Sequence, residues 1–90
     1  MTDMKELIKE ELSKVLREKR KIKDWTQDEA AERCGRSRRE YEKLENCECL
    51  PATDTLINLK LMYDINLEEF IKDLVAKGYS IDDRSCAPDE

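Results

Sequence analysis

Apolar side chains along this chain recur every three or four residues, which is the spacing of one face of an α-helix. The first series consists of Ile8, Leu12, Val15 and Leu16, and it predicts a helix over residues 2–21. Charged residues make up 43% of the chain and apolar residues 39%, and only two glycines and two prolines interrupt the pattern. This distribution favours a bundle of short amphipathic helices over a sheet.

Two short helices in the middle of the chain are indicated by capping boxes. A Ser or Thr followed three residues later by Glu satisfies two backbone amides at the start of a helix. The chain has this signal as Thr-Gln-Asp-Glu at 26–29 and as Ser-Arg-Arg-Glu at 37–40. Gly35 lies between the boxes, where a left-handed residue ends a helix. The spacing predicts helices over residues 27–34 and Arg38–Glu45, joined by a sharp turn as a helix-turn-helix.

Two further helices are predicted beyond this pair. Pro51 disfavours helix in the residue before it, so the fourth helix begins after the proline, with Thr53 or Asp54 as its N-cap. The fifth helix begins after Asn66 and stops at Gly78. The residues predicted to face the core from the second to the fifth helix are Ala30, Ala31, Cys34, Tyr41, Leu44, Leu56, Ile57, Leu59, Tyr63, Leu67 and Phe70. Ile71, Leu74 and Val75 also lie on the apolar stripe of the fifth helix, and we expect them to be left over after core packing.

The length of 90 residues suits one domain, which we expect to occupy residues 1–78. Residues 79–90 contain four acidic residues and Pro88, and we expect them to form an acidic, mobile tail. No apolar run approaches the roughly 18 residues that cross a bilayer, and the N-terminus lacks the apolar block of a signal peptide. The sequence therefore predicts a cytoplasmic protein without a membrane partner.

The chain offers little for catalysis or for metal binding. It has no histidine and no glycine-rich phosphate loop, so we expect no enzymatic activity and find no indication of a small-molecule substrate. Its four cysteines form no C-x-x-C pair, and Cys47-x-Cys49 alone is a weak metal signal. We therefore expect reduced thiols, with Cys34 in the core, and neither a metal nor a cofactor.

The charge of the chain is distributed unevenly. The net charge of −5 by itself argues against a nucleic-acid partner. Residues 14–43, however, contain eleven Lys or Arg against seven Asp or Glu, whereas residues 44–90 sum to −7. Only charge within about a Debye length, roughly 10 Å at 0.1 M salt, acts strongly on a phosphate backbone. The basic segment is therefore either a nucleic-acid contact or a solvated face.

A set of residues between positions 16 and 70 follows the pattern of one protein family. Its members are Leu16, Arg20, Trp25, Thr26, Gln27, Ala31, Gly35, Ser37, Leu44, Glu45, Pro51, Leu56, Ile65, Asn66, Leu67 and Phe70. Through them the chain resembles the Xre/Cro-type helix-turn-helix repressors. The resemblance implies an all-α, five-helix, lambda-repressor-like DNA-binding bundle, with Arg38–Glu45 in the major groove of double-stranded DNA. We expect Glu45 to pair internally with Arg20.

The resemblance also implies which side chains contact DNA. Base edges would be met by Arg38, Arg39 and Lys43, and arginine suits guanine because its fork matches O6 and N7 together. Phosphates would be met by Gln27, Ser37 and Asn46. One module makes few contacts, so we expect a homodimer through the fifth or the first helix, bound to two half-sites. The implied function is a sequence-specific transcription regulator, a repressor.

Several residues depart from the family pattern. Arg36 replaces an apolar residue that packs under the turn, and Cys47 replaces a glycine at a left-handed position, which costs roughly 1 kcal/mol. Glu48 replaces a basic residue, and Glu40 and Glu42 add negative charge to the reading helix. Together with the acidic C-terminal half, these departures support an alternative: a protein-interaction module of the same fold, antitoxin-like or phage-derived, with weak or no DNA affinity.

Overall fold

The computed structural model describes residues 4–80, and this part of the chain is helical and contains no strand. Its five helices are α1 (Met4–Lys23), α2 (Gln27–Arg33), α3 (Arg38–Glu45), α4 (Thr53–Tyr63) and α5 (Leu67–Ala76). The predicted all-α architecture is confirmed, and α3 has the predicted bounds. Most of the predicted tail, residues 81–90, lies outside the described residues. No helix within residues 4–80 combines the length and the apolar character that crossing a membrane requires.

Helices α2 and α3 begin at the predicted capping boxes. Oγ1 of Thr26 accepts a hydrogen bond from the amide of Glu29 at 3.1 Å, and the Glu29 carboxylate accepts one from the amide of Thr26 at 2.8 Å. Ser37 and Glu40 repeat this exchange at 3.2 and 3.0 Å. Each helix therefore starts at a residue fixed by its own neighbours in sequence. Asn66 caps α5 in the predicted way, through the amide of residue 69.

The predicted N-cap of α4 is wrong. Ala52 occupies this position and offers no side-chain hydrogen bond, while Thr53 is already the first residue of the helix. The carboxylate of Asp54 accepts hydrogen bonds from the amide of Thr55 and from the guanidinium of Arg36. Local preferences predict that the side chain of Asp54 caps α4. It forms a tertiary ion pair with Arg36 instead.

All five helices described here end in the same way. Residues 24, 35, 47, 64 and 78, which follow the five helices or their C-caps, have positive φ angles between 54° and 112°. In each case the next residue donates its backbone N–H to the carbonyl five residues earlier, as Trp25 does to Arg20 and Glu48 to Lys43. This 6→1 bond is typical of a Schellman motif. The predicted left-handed conformations of Gly35 and Cys47 are confirmed, with φ angles of 77° and 63°.

We expect the change Cys47→Gly to raise the free energy of unfolding by about 0.5–1 kcal/mol. The left-handed backbone conformation strains residues that carry a Cβ. Aspartate, which adopts it at positions 24 and 64, tolerates it better than cysteine does. Glycine relieves this strain and loses part of the gain to its larger backbone entropy in the unfolded chain. Urea unfolding measures the effect. The control is Cys47→Ala, which removes the thiol but keeps the Cβ; an equal gain in this variant would contradict the explanation.

The hydrophobic core lies where α1 to α4 meet. Its buried apolar side chains are Leu12, Leu16, Ala30, Ala31, Cys34, Tyr41, Leu44, Leu59, Tyr63 and Ile65. The methyl groups of Ala30 and Ala31 leave room for neighbouring helices to approach α2 closely. Helix α3 packs against α1 and α2 on one side. Its opposite side, which carries Arg38, Arg39 and Lys43, is exposed to solvent.

Ile57 was predicted to face the core but is exposed by 52%. Ile71 and Val75, predicted to be left over after core packing, are exposed by 55% and 56%, whereas Leu74, predicted with them, is buried. Leu61 of α4 is exposed by 71%. Apolar residues surround most of α4, so their spacing does not identify its inner face. Helix α5 places a single fully buried residue, Leu74, on its inner side. The structure therefore leaves one exposed apolar pair on α4 and another on α5, each spaced by four residues.

Candidate nucleic-acid interface

The buried carboxylate of Glu45 connects helices α1, α2 and α3. Glu45, the last residue of α3, is only 1% exposed. Arg20 of α1 donates to it twice, from Nε to Oε2 at 2.7 Å and from Nη2 to Oε1 at 3.1 Å. Gln27 of α2 donates from Nε2 to Oε1 at 3.1 Å. The predicted pair of Arg20 and Glu45 is confirmed. Together with the hydrogen bond from Gln27, it fixes α2 and α3 relative to α1.

The backbone of Glu45 is held as firmly as its side chain. Its carbonyl accepts hydrogen bonds from Oγ of Ser13 and from Nη2 of Arg17, each at 2.6 Å. The last carbonyls of a helix lack partners within the helix, and a cation near them also suits the helix dipole. The sequence interpretation missed this role, because nothing in the spacing of α1 distinguishes Ser13 and Arg17 from residues facing water.

Two buried tyrosines link α3 to α4. The hydroxyls of Tyr41 and Tyr63 lie 2.6 Å apart, and either can donate to the other. Burial raises the pKa of both tyrosines above the ordinary value. The two hydroxyls therefore stay protonated and join the two helices inside the core.

The pKa of Glu45 reflects opposing influences. Burial on its own raises this pKa, because it penalises the charged form. Hydrogen bonds from Arg20 and Gln27, together with the nearby hydroxyl of Tyr41, favour the carboxylate and outweigh burial, so the pKa lies below its ordinary value of 4.5. The hydrogen bond to Glu45 correspondingly raises the pKa of Arg20. Glu45 is therefore ionised at neutral pH and serves the structure rather than contacting DNA.

Arg36, which departs from the family pattern, connects the turn before α3 to α4. Its Nε donates to Oγ1 of Thr55 at 2.7 Å, and its Nη2 donates to both carboxylate oxygens of Asp54 at 3.1 Å. A paired guanidinium thus lies where an apolar residue was expected to pack. The first turn of α4 is consequently held against the turn between α2 and α3, and Arg36 is not free to contact a ligand.

The three residues predicted to contact bases share the exposed side of α3 but differ in their partners. Nε of Arg38 lies 3.0 Å from Oε2 of Glu42, and its Nη1 lies 3.7 Å from Oδ2 of Asp28. Arg39 and Lys43 are exposed and form no ion pair with any residue between 4 and 80. Within this group, only Arg38 is held by carboxylates of the protein.

The residues predicted to contact phosphate lie at three different points. Gln27 begins α2 and is half-buried, with its side-chain amide directed to Glu45. Ser37 is the exposed N-cap of α3, and its hydroxyl is engaged in the capping box. Asn46 is the exposed C-cap of α3. Ser37 and Asn46 therefore lie at the two ends of α3, while Gln27 lies on α2.

An open crevice separates the starts of α2 and α3. It has a volume of about 570 Å³ and is lined by Arg20, Trp25, Thr26, Gln27, Asp28 and Arg38. The ring of Trp25 is half-buried, lies 5.6 Å from the ring of Tyr63 and is covered by the guanidinium of Arg33 at 4.3 Å. Trp25 therefore packs against Tyr63 and Arg33 at the edge of the core.

The cysteines and acidic residues of the described part of the chain form neither a metal-binding cluster nor a disulfide. Residues 4–80 contain no cluster of three Cys, Asp or Glu side chains that would hold a metal ion. Cys34, Cys47 and Cys49 are free thiols, and Cys34 is buried as predicted. Burial raises the pKa of Cys34, which keeps this thiol in its unreactive protonated form.

Comparisons of the chain with protein-family models, with curated proteins and with solved structures gave no match.

Proposed function

We propose that this protein is a sequence-specific DNA-binding transcription regulator, a repressor, that inserts α3 into the major groove as the second helix of a helix-turn-helix. The observation that carries the proposal is the pair of exposed arginines, Arg38 and Arg39, at the first two positions of α3. Cations at a helix N-terminus oppose the helix dipole. The two arginines therefore do not serve the stability of α3, whereas reading guanine in a groove requires exposed side chains of this kind.

The geometry of α2 and α3 supports this docking mode. Helix α3 has eight residues, so it is about 12 Å long, and the major groove is about 12 Å wide. One side of α3 is sealed against α1 and α2 by Tyr41, Leu44 and Glu45, and the other side is open. Such a helix reaches base edges without unfolding any part of the core.

Phosphate contacts would orient the protein on the duplex. Gln27 uses one amide hydrogen for Glu45 and keeps the other for a phosphate oxygen. Ser37 and Asn46 lie at the two ends of α3, close to where the two backbones border the groove. The network around Glu45 fixes Gln27 relative to α3, so phosphate contacts made from α2 would set the depth at which α3 enters the groove.

We further propose that the DNA-bound form is a homodimer. Ile71 and Val75 lie four residues apart on α5 and are each exposed by more than half, so burying them against a second copy would be favourable. We expect Val75→Lys to abolish self-association in sedimentation equilibrium and to weaken binding to a two-site duplex, with little effect on folding. Ile57→Lys on α4 is the control; a loss of self-association in this variant instead would place the interface on α4.

The salt dependence of DNA binding tests the function directly. Each phosphate neutralised by Lys or Arg contributes about −0.9 to the slope of log affinity against log salt concentration. The proposed phosphate contacts Gln27, Ser37 and Asn46 are uncharged, so the slope comes from exposed cations of α3 such as Lys43. One phosphate neutralised by each protomer of a dimer gives a slope of about −2 or steeper. Fluorescence anisotropy with a labelled random duplex measures this slope, and selection of bound sequences from a random pool then identifies the operator. A protein that binds no duplex at low salt would refute the proposal.

A second candidate function is favoured by the charges around the reading helix. Asp28, Glu40 and Glu42 lie beside Arg38, Arg39 and Lys43, so the exposed face has as many acids as bases. A protein-interaction module of the same shape would use such a mixed face, together with the exposed apolar residues of α4 and α5, to bind another protein. The absence of duplex binding at low salt distinguishes this candidate from the first.

A further inference from the structure

Arg38 is the one arginine of the exposed α3 face that two carboxylates of the described chain hold in place. Glu42 lies one turn further along α3 and accepts from Nε at 3.0 Å. Asp28 lies on α2, with its Oδ2 3.7 Å from Nη1. The two carboxylates approach the guanidinium from different helices, so its plane is fixed relative to both. Arg39, its neighbour in sequence, has no such support within residues 4–80.

The ion pair with Glu42 contributes little to stability. Both side chains are substantially exposed, by 58% and 36%, and exposed pairs of this kind add little to the free energy of unfolding. The order along the helix, cation before anion, is also the less favourable one for an i, i+4 pair. Stability therefore does not account for the ion pair between Arg38 and Glu42. Its other effect is to orient the guanidinium of Arg38.

The contacts leave a defined edge of the guanidinium available. Nε is committed to Glu42, and Nη2 forms no hydrogen bond with any residue between 4 and 80. Nη1 has two hydrogens, of which Asp28 attracts one. Neither terminal nitrogen donates a hydrogen bond to a residue between 4 and 80, and a fork made of these two nitrogens matches the spacing of O6 and N7 of guanine.

We propose that Glu42, assisted by Asp28, is a positioning residue that presets Arg38 for end-on recognition of one guanine, and thereby sets base preference at that position of the operator. The inference rests on the proposed DNA-binding function and deepens it. A side chain already held in its binding conformation loses less rotamer freedom on binding than a free one. This smaller entropic cost improves the affinity only for a base whose acceptors match the two terminal nitrogens of Arg38. Glu42 itself repels phosphate, so it lowers the affinity for all duplexes while it sharpens the choice among them.

The experiment measures two quantities for Glu42→Gln: affinity for a random duplex, and discrimination at the position where Arg38→Ala loses its preference. Discrimination is the ratio of the Kd for the mismatched duplex to the Kd for the selected duplex. We expect discrimination to fall by about 2- to 10-fold, which corresponds to the rotamer freedom of one long side chain. Affinity for the random duplex should rise, because one negative charge is removed. Asp28→Asn should change both quantities in the same directions by smaller factors.

Two comparisons separate positioning from a general effect of charge or structure. Glu48→Gln removes the same charge from an exposed residue beyond α3 that does not contact Arg38; it should raise affinity and leave discrimination unchanged. In an Arg38→Ala background, Glu42→Gln should no longer alter discrimination. Unchanged discrimination in Glu42→Gln, or an equal loss without Arg38, would overturn the inference while the DNA-binding function stands. Absence of duplex binding by the unmodified protein would overturn both.

Discussion

Replacing Glu45 by alanine is expected to lower the free energy of unfolding by about 3–5 kcal/mol, which is the usual cost of removing one partner from a buried ion pair. The side chain is 1% exposed and accepts hydrogen bonds from Arg20 and Gln27. Its loss leaves these donors without their acceptor beneath α3. A domain of 90 residues has roughly 5–13 kcal/mol of stability in total, so this variant should be close to unfolding at 37 °C.

Urea unfolding followed by circular dichroism measures the loss. Glu48→Ala is the matched control, because Glu48 is exposed and forms no ion pair within residues 4–80. The double variant Arg20→Met with Glu45→Leu should recover part of the stability, since it removes both charges and restores apolar volume. A loss below about 1 kcal/mol for Glu45→Ala would mean that the network around Glu45 is not a principal support of the fold.

The same carboxylate gives the stability a defined pH dependence. The pKa of Glu45 in the folded protein lies below 4.5, so the unfolded state binds this proton more readily. The contribution of Glu45 is therefore complete above pH 4.5 or so and is lost as the pH falls through the lower, folded pKa. We expect the difference in unfolding free energy between the protein and Glu45→Gln to shrink as the pH falls below 4.5. A difference that stays constant down to pH 3 would contradict this assignment.

Replacing Arg39 by alanine is expected to weaken specific DNA binding by about 1–3 kcal/mol, or roughly 5- to 150-fold in Kd, and to relax the preference at one operator position. Arg39 occupies the second position of α3 and is exposed without an ion pair in the described chain. Because it is exposed and forms no ion pair with residues 4–80, its replacement should leave the unfolding free energy nearly unchanged.

Selection of bound duplexes from a random pool, repeated with Arg39→Ala, reads out this preference. Lys72→Ala on α5 removes an exposed cation remote from α3 and serves as the control for net charge. An identical selection profile for Arg39→Ala and the unmodified protein would remove Arg39 from the set of base-contacting residues, and binding weakened equally on all sequences would reassign it to phosphate.

Local sequence signals predicted the local structure well. Both capping boxes, the bounds of α3 and the left-handed Gly35 are where the spacing placed them, because each depends on residues within one helical turn. The left-handed conformation of Cys47 was expected from the family resemblance, since the family has a glycine there. The pair of Arg20 and Glu45 was also expected correctly. The assignment of Arg38, Arg39 and Lys43 to base contacts remains a prediction, since it concerns a partner outside the chain.

The tertiary contacts that sequence reasoning missed join distant segments. Arg36 pairs with Asp54 across 18 residues, and the carbonyl of Glu45 accepts from Ser13 across 32. No periodicity within one helix encodes such contacts, because they depend on how the helices pack. The misplacement of Ile57 has a related origin: a helix that is apolar on most sides acquires its inner face only from its neighbours.

The left-handed ends of the helices bear on how this chain folds during synthesis. Each reversal is closed by a backbone bond spanning five residues, so it carries a small loop-closure entropy and needs no distant segment to form. The ends of α1 and α2 are therefore encoded in stretches that leave the ribosome before α4 is made. The contacts that join distant segments, such as that of Arg20 with Glu45 across 25 residues, close larger loops at a higher entropic cost.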